Sequence, residues 1–152
     1  MTKTAFLFAG QGAQYIGMGR DLYDHYPIVK ETIDQASQVL GYDLRDLIDN
    51  DEAKLNQTRY TQPAILATSV AIYRLLKEKG YQPDMVAGLS LGEYSALVAS
   101  GALDFEEAVA LVAKRGAYME EAAPAGSGKM VAVLNTPVEV IEETCKNASE
   151  VG

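Results

Sequence analysis

The residue with the most distinctive chemical setting is Ser90, in the segment "DMVAGLSLGEYSALVAS" at residues 84–100. The order of an apolar strand, a turn flanked by Gly88 and Gly92, and a helix matches the G-x-S-x-G nucleophile elbow. The glycines remove side chains where the backbone turns tightly. The start of the next helix would direct N–H groups and a partial positive charge at an oxyanion. The segment therefore predicts that Ser90 is a nucleophile.

A second role is open to Ser90. Serine is a good N-cap, so the hydroxyl could simply cap the helix expected over residues 91–100. The strand, turn and helix order favours the nucleophile, because a capping serine needs no sharp glycine-flanked corner.

Arg115 is the second candidate, on a helix expected to begin after Asp104. It lies three residues from Val112, at the edge of the apolar stripe, whereas Lys114 faces the solvated side. A guanidinium beside a buried stripe needs an anionic partner, and its planar fork suits a carboxylate. An acyl group without a carboxylate would leave that charge unpaired. The alternatives are an arginine that reaches solvent or pairs with a nearby glutamate.

Two other glycine-rich segments fail as phosphate-binding motifs. In "GQGAQYIGMG", Tyr15 occupies a position where the dinucleotide fingerprint requires glycine. In "GSGKM", Met130 replaces the serine or threonine of a phosphate loop, and Ala123 replaces its earlier glycine. Neither segment predicts nucleotide binding.

Composition excludes several classes of function. The 152 residues carry a net charge of −8, and the basic residues are scattered, so nucleic-acid binding is not expected. No apolar run reaches membrane-spanning length, and the N-terminus lacks a signal-peptide pattern. Metal ligands are not clustered, so no metal site is expected. The single cysteine, Cys145, accords with a cytoplasmic location and is expected to face the core.

Strands alternate with helices along the chain, which predicts an α/β fold with parallel strands. Apolar runs predict a buried strand in "KTAFLFAGQG", a second in "PDMVAGLS" and a third in "KMVAVLN". Short helical turns are expected in "DLRDLIDNDEAKLNQTRY". The signals expected at helix ends are Pro27 and Gly41, Thr61 with Pro63 and Gly80, Asp104 with Glu107, and Thr136.

Three separated segments resemble the malonyl-CoA:acyl-carrier-protein transacylases, the acyltransferases of fatty-acid and polyketide synthesis. They are "FLFAGQGAQYIGMG", "YTQPAILATSVA" and "VAGLSLGEYSALVASGALDFEEAVALVAKRG". Their order and spacing match over most of the chain. The resemblance implies an α/β-hydrolase-like domain at residues 1–125 and the first β-α of a ferredoxin-like subdomain at residues 126–152.

The resemblance also implies roles for individual residues. Ser90 would take the malonyl group as an ester and pass it to the phosphopantetheine thiol of acyl carrier protein. The backbone N–H groups of Gln11 and Leu91 would form the oxyanion hole. Arg115 would bind the malonyl carboxylate, and Gln62 would line the site. Malonyl-CoA and the carrier protein would be the partners, with no cofactor of the protein's own and a monomer at full length.

Two positions depart from the family pattern. Leu89 stands where many members carry histidine, which would change a contact in the site rather than the mechanism. His25 is the only histidine, and no family motif surrounds it, so we expect a surface residue. A serine nucleophile needs a base. We therefore expect the catalytic histidine to lie beyond this chain, which reads as the N-terminal portion of a longer enzyme.

Two other functions remain open at this point. A serine hydrolase, such as a thioesterase or lipase, would share the elbow, although Arg115 and the "GQG" and "TQPA" segments argue against it. A non-catalytic fragment that only binds a partner is the third possibility.

Overall fold

The computed structural model describes residues 2–124, 126–128, 131 and 133–149, and within them the predicted α/β class is confirmed. The elements in chain order are β1 (Ala5–Phe8), α1 (Arg20–His25), α2 (Pro27–Leu40), α3 (Leu44–Asn50), α4 (Glu52–Leu55), α5 (Thr58–Glu78), β2 (Met85–Gly88), α6 (Leu91–Ser100), α7 (Phe105–Ala122) and α8 (Val138–Ser149). Among these helices, none is long and apolar enough to cross a membrane.

The two strands pair in parallel, with Ala5 opposite Met85 and Phe8 opposite Gly88. Their carboxyl ends therefore lie at the same edge, and the loops that follow them meet there. This pairing brings the loop after β1 to the elbow after β2.

The prediction that β1 is a buried strand was wrong. Its residues alternate between exposed and half-buried, and Leu7 is 80% exposed. The rings of Phe6 and Phe8 lie edge-on to Tyr73 of α5, at 6.4 Å between centroids. Because successive side chains of a strand point to opposite faces, α5 covers only one face of β1.

Helix α5 forms the centre of the described core, since α2, α6 and α7 all pack against it. Helices that are apolar around most of their circumference belong in the interior. Its buried residues are Thr61, Gln62, Pro63, Ala64, Ile65, Leu66, Ala67, Val70, Ala71 and Leu75.

Three of the predicted end signals are confirmed. Pro27 opens α2, and Gly41 closes it in the left-handed conformation at φ 76°. The Asp104 carboxylate accepts hydrogen bonds from the backbone N–H groups of Glu106 and Glu107, which caps α7. These signals depend on neighbouring residues only, which is why sequence reading finds them.

The predicted start of α5 was wrong. The helix begins earlier, at Thr58, and Pro63 lies inside it. The Thr61 hydroxyl does not cap the helix, because it donates to the carbonyl oxygens of Leu55 and Gln57. The carbonyl of Gln57 also accepts from the Thr61 N–H at 2.8 Å, so the helix is already formed at Thr61.

The C-terminal segment differs from its prediction in two respects. Residues 131 and 133–135 form no strand, while positions 129, 130 and 132 of the predicted strand lie outside the described residues. The predicted helix is present as α8, but the Thr136 hydroxyl donates to the Leu134 carbonyl oxygen. Cys145 is exposed and not in the core, because α8 has no buried residues.

A buried ion pair anchors the end of the loop after β1. Arg45 and Asp49 of α3 have side chains only 7% and 13% exposed, and they are paired. Arg45 also donates to the carbonyl oxygen of Met18 at 3.1 Å, and Gly17 donates its N–H to the Ile48 carbonyl at 3.0 Å. Removing one partner of such a pair leaves a buried charge uncompensated.

We expect Asp49→Asn to lower the free energy of unfolding by about 3 kcal/mol, because Arg45 would keep its charge in a nearly dry site. Urea denaturation of the full-length protein measures this. Asp49 also pairs with Arg20, at 2.6 Å. Asp24→Asn is the matched control, because Asp24 pairs with the same Arg20 but its side chain is 45% exposed. The control should change stability by no more than about 0.5 kcal/mol. Equal effects of the two variants would contradict the importance of the buried pair.

Candidate active site

Ser90 sits at a strained corner between β2 and α6. Its backbone has φ 54° and ψ −113°, a region that residues with a side chain rarely adopt. Its side chain makes no capping hydrogen bond to α6 and is exposed. The capping alternative is therefore not what the structure shows, and the hydroxyl is exposed at the corner.

The flanking glycines permit a very close approach of backbone segments. A Cβ at Gly88 would overlap the backbone of Gly92, and a Cβ at Gly92 would overlap the carbonyl of Phe8 in β1. A Cβ at Gly10 would lie 2.9 Å from the carbonyl oxygen of Leu89. A side chain at Gly10 or Gly92 would push the elbow away from the end of β1, and one at Gly88 would open the elbow itself.

The loop after β1 is tied to the start of α5 by two side-chain amides. Gln11 donates to the Thr58 hydroxyl at 3.1 Å, and Gln14 donates to the Asn56 side chain at 3.0 Å. Within the described residues, the backbone N–H groups of Gln11 and Leu91 donate to no acceptor. Both groups can therefore still take an acceptor, Gln11 in the loop after β1 and Leu91 as the first residue of α6.

Arg115 reaches the elbow from α7. Its Nη1 donates to Gln62 Oε1 at 2.8 Å, and its Nη2 donates to Ser90 Oγ at 3.2 Å. Its Cζ lies over the ring of Tyr94, 5.5 Å from the centroid. The structure thus brings together Ser90 and Arg115, which are separated by a helix in the sequence.

A glycine next to Arg115 explains how α7 comes so near to α5. A Cβ at Gly116 would lie 2.7 Å from both the Thr58 carbonyl oxygen and the Arg59 Cα. Glycine inside a helix costs about 0.5–1 kcal/mol relative to alanine. The close helix crossing offsets that cost, and it places the Arg115 side chain within reach of Gln62.

Arg115 and the nearby Arg59 differ in the partners of their guanidinium groups. Arg59 donates to Glu120 at 2.6 Å, and this hydrogen bond raises the pKa of the guanidinium above its usual range. Within the described residues, no carboxylate lies in ion-pair distance of Arg115. The Arg115 guanidinium is therefore the cation next to Ser90 that can still take an anionic partner.

Gln62 lies behind the guanidinium and is only 1% exposed. Its Nε2 donates to Met119 Sδ at 3.2 Å and faces Gln11 Oε1 at 3.5 Å. Sequence reading expected Gln62 to line the site, and the structure places it as a support that connects Arg115 to the Gln11 loop.

Sequence reading did not identify Tyr94, Thr58 or Met119 as part of this site. The position of Tyr94 one turn after Ser90 was a signal that could have found it. Met119 of α7 is 38% exposed and lies beside Gln62.

His25 is exposed on α1, as predicted, and its Nδ1 lies 2.7 Å from the carbonyl oxygen of Asp21. It makes no contact with Ser90. An arginine cannot act as the base, because its pKa is far above neutrality.

Comparison with protein families gives a match between residues 5–150 and the model described as "Acyl transferase domain". The chain belongs to the acyl transferase domain family. The match includes β1, the elbow and α7, and so every residue of the candidate site.

Curated and solved members of the family are similar over almost the whole chain. The malonyl CoA-acyl carrier protein transacylase of Haemophilus influenzae is 53% identical over 99% of this chain and 49% of its own length. The crystal structure of MCAT from Streptococcus pneumoniae is 90% identical with a TM-score of 0.89, over 99% of this chain and 49% of that one. The chain thus spans about half the length of these relatives.

A third similar structure is that of a type II PKS acyl-carrier protein in complex with its malonyl-transacylase. It is 47% identical to this chain, with a TM-score of 0.86, and the similarity covers 96% of this chain and 48% of that chain.

We expect Gly92→Ala to destabilise the protein by more than about 2 kcal/mol, because the added Cβ would overlap the Phe8 carbonyl. Thermal and urea denaturation of the full-length protein measure the loss. Gly128→Ala is the control, because a Cβ there meets nothing within 4 Å. Stability of Gly92→Ala equal to that of the control would show that the elbow tolerates a wider separation from β1.

Proposed function

We propose that the protein transfers a malonyl group from coenzyme A to the phosphopantetheine thiol of acyl carrier protein, through an ester on Ser90. The observation that carries this proposal is the Arg115 guanidinium, 3.2 Å from Ser90 Oγ and without a carboxylate partner among the described residues. A nucleophile beside a free guanidinium suits an acyl group that ends in a carboxylate. The names of the similar family members support the same reaction.

The reaction has two displacements that share one acyl-enzyme. Ser90 Oγ attacks the thioester carbonyl of malonyl-CoA, the C–S bond breaks, and coenzyme A leaves as a thiol with the proton that Ser90 lost. The sulfur of the carrier-protein thiol then attacks the carbonyl of the Ser90 ester, the C–O bond to Oγ breaks, and Oγ recovers the proton that the thiol lost. In both steps, the N–H groups of Gln11 and Leu91 would stabilise the oxyanion.

Arg115 would select the substrate by its carboxylate. The guanidinium is half-buried and already directed at the elbow by Gln62. A malonyl carboxylate would pair with it, whereas an acetyl group would leave the charge without a partner in a partly dry site.

A serine nucleophile also needs a base, and within the described residues Arg115 is the charged side chain that contacts Ser90 Oγ. We propose that a group from a part of the protein outside these 152 residues takes the proton, since the family relatives are about twice as long. We further propose an α/β-hydrolase-like domain at residues 1–125 and the start of a ferredoxin-like subdomain at residues 126–152. The reaction would take place in the cytoplasm and need no cofactor of the protein's own.

We expect Ser90→Ala to abolish both malonyl transfer and a malonyl adduct, because the ester oxygen is removed. Intact mass spectrometry of the full-length protein with malonyl-CoA detects the adduct. Ser100→Ala at the end of α6 is the control and should keep it. A persistent adduct in Ser90→Ala would contradict the assignment. Release of free malonate without carrier protein, at the rate of transfer, would favour a hydrolase instead.

We expect Arg115→Ala to lower kcat/KM for malonyl-CoA by about a hundredfold or more, with little loss for acetyl-CoA, because the carboxylate loses its partner. Initial rates with the two thioesters measure the preference. Lys114→Ala is the control, since Lys114 is the exposed neighbour on α7. An unchanged preference in Arg115→Ala would remove Arg115 from this role.

A further inference from the structure

We infer that Tyr94 is a positioning residue that holds the Arg115 guanidinium at the elbow, and so contributes to the selection of a carboxylate-bearing acyl group. The inference rests on the proposed function of Arg115. It is carried by the contact between the Tyr94 ring and Arg115 Cζ, 5.5 Å from the ring centroid.

The guanidinium is restrained on three sides. Gln62 accepts from Nη1 at 2.8 Å, Ser90 accepts from Nη2 at 3.2 Å, and Tyr94 lies against Cζ. When an acyl group replaces the hydroxyl hydrogen of Ser90, the contact with the nucleophile changes. Gln62 and Tyr94 are then the two supports that remain unaltered, and Tyr94 is the one on the helix that directly follows the nucleophile.

The ring is a suitable support because it is neutral. An aromatic face attracts a cation through its quadrupole and does not neutralise the charge. The contact also uses no N–H group, so donors of the guanidinium stay available for a carboxylate. A glutamate at this position would form an ion pair with Arg115, as Glu120 does with Arg59. The guanidinium would then be less able to bind a substrate carboxylate.

The position of Tyr94 fixes the distance between the cation and the nucleophile. Ser90 precedes α6 directly and Tyr94 lies in its first turn. Tyr94 is also partly buried against the main hydrophobic core, which restricts its ring. The first turn of α6 therefore determines the positions of both Ser90 and the Arg115 guanidinium.

Steady-state kinetics of the full-length protein with malonyl-CoA and acetyl-CoA test this inference. We expect Tyr94→Leu to lower kcat/KM for malonyl-CoA about three- to tenfold, mainly through a higher KM. The kcat/KM for acetyl-CoA should stay nearly unchanged. Tyr94→Phe keeps the ring and should keep the preference. Tyr94→Met fills the space without a ring face, so it should behave like Tyr94→Leu and replaces it if that variant does not fold.

The outcomes separate the possible failures. If the Tyr94 variants only disturb the structure in general, kcat/KM would fall equally for malonyl-CoA and acetyl-CoA, and the preference between them would stay unchanged. Combined with a relaxed preference in Arg115→Ala, that result would overturn the inference but not the proposed function. An unchanged preference in Arg115→Ala would overturn the inference together with the proposed role of Arg115, whereas Ser90→Ala tests acyl transfer itself. In the double variant Tyr94→Leu with Arg115→Ala, we expect no further change of preference beyond that of Arg115→Ala.

Discussion

The site depends on the close approach of the elbow to the end of β1. Gly92 lies against the carbonyl of Phe8, and Gly88 lies against the backbone of Gly92. Because the strands are parallel, this contact also brings the loop that carries Gln11 to the N-terminus of α6. The exposed hydroxyl of Ser90 therefore lies between that loop and the helix, with the strain of Ser90 maintained by the packing around it.

The second feature on which the site depends is the choice of partners for its arginine. The chain has a net charge of −8, and Arg45 and Arg59 have the carboxylate partners Asp49 and Glu120. Arg74, far from the elbow, donates instead to the side chains of Thr32 and Gln35. Arg115 is supported by an amide, a hydroxyl and a ring instead. Uncharged partners hold the guanidinium in place but do not neutralise its positive charge, so it still attracts an incoming anion.

Sequence reading succeeded where the signal was local. The G-x-S-x-G motif, the bounds of α6 and the Asp104 cap each depend on residues a few positions apart. It was wrong about Cys145, which lies on a helix with no buried residues, because packing against distant segments decides burial. It also missed that the turn before Thr61 is already helical, so that Thr61 lies inside α5 and does not cap it. Periodicity alone could not show what packs on α8 or on the outer face of β1.

By itself, the sequence determined the elbow, the glycines that permit it and the presence of an arginine at the edge of an apolar stripe. The tertiary structure alone decided that this arginine reaches Ser90, that Gln62 supports it from behind and that Tyr94 lies against it. The physical reason is that Gly116 allows α7 to pack directly on the start of α5. Such a contact depends on the distance between two helices, which no pattern within either helix encodes.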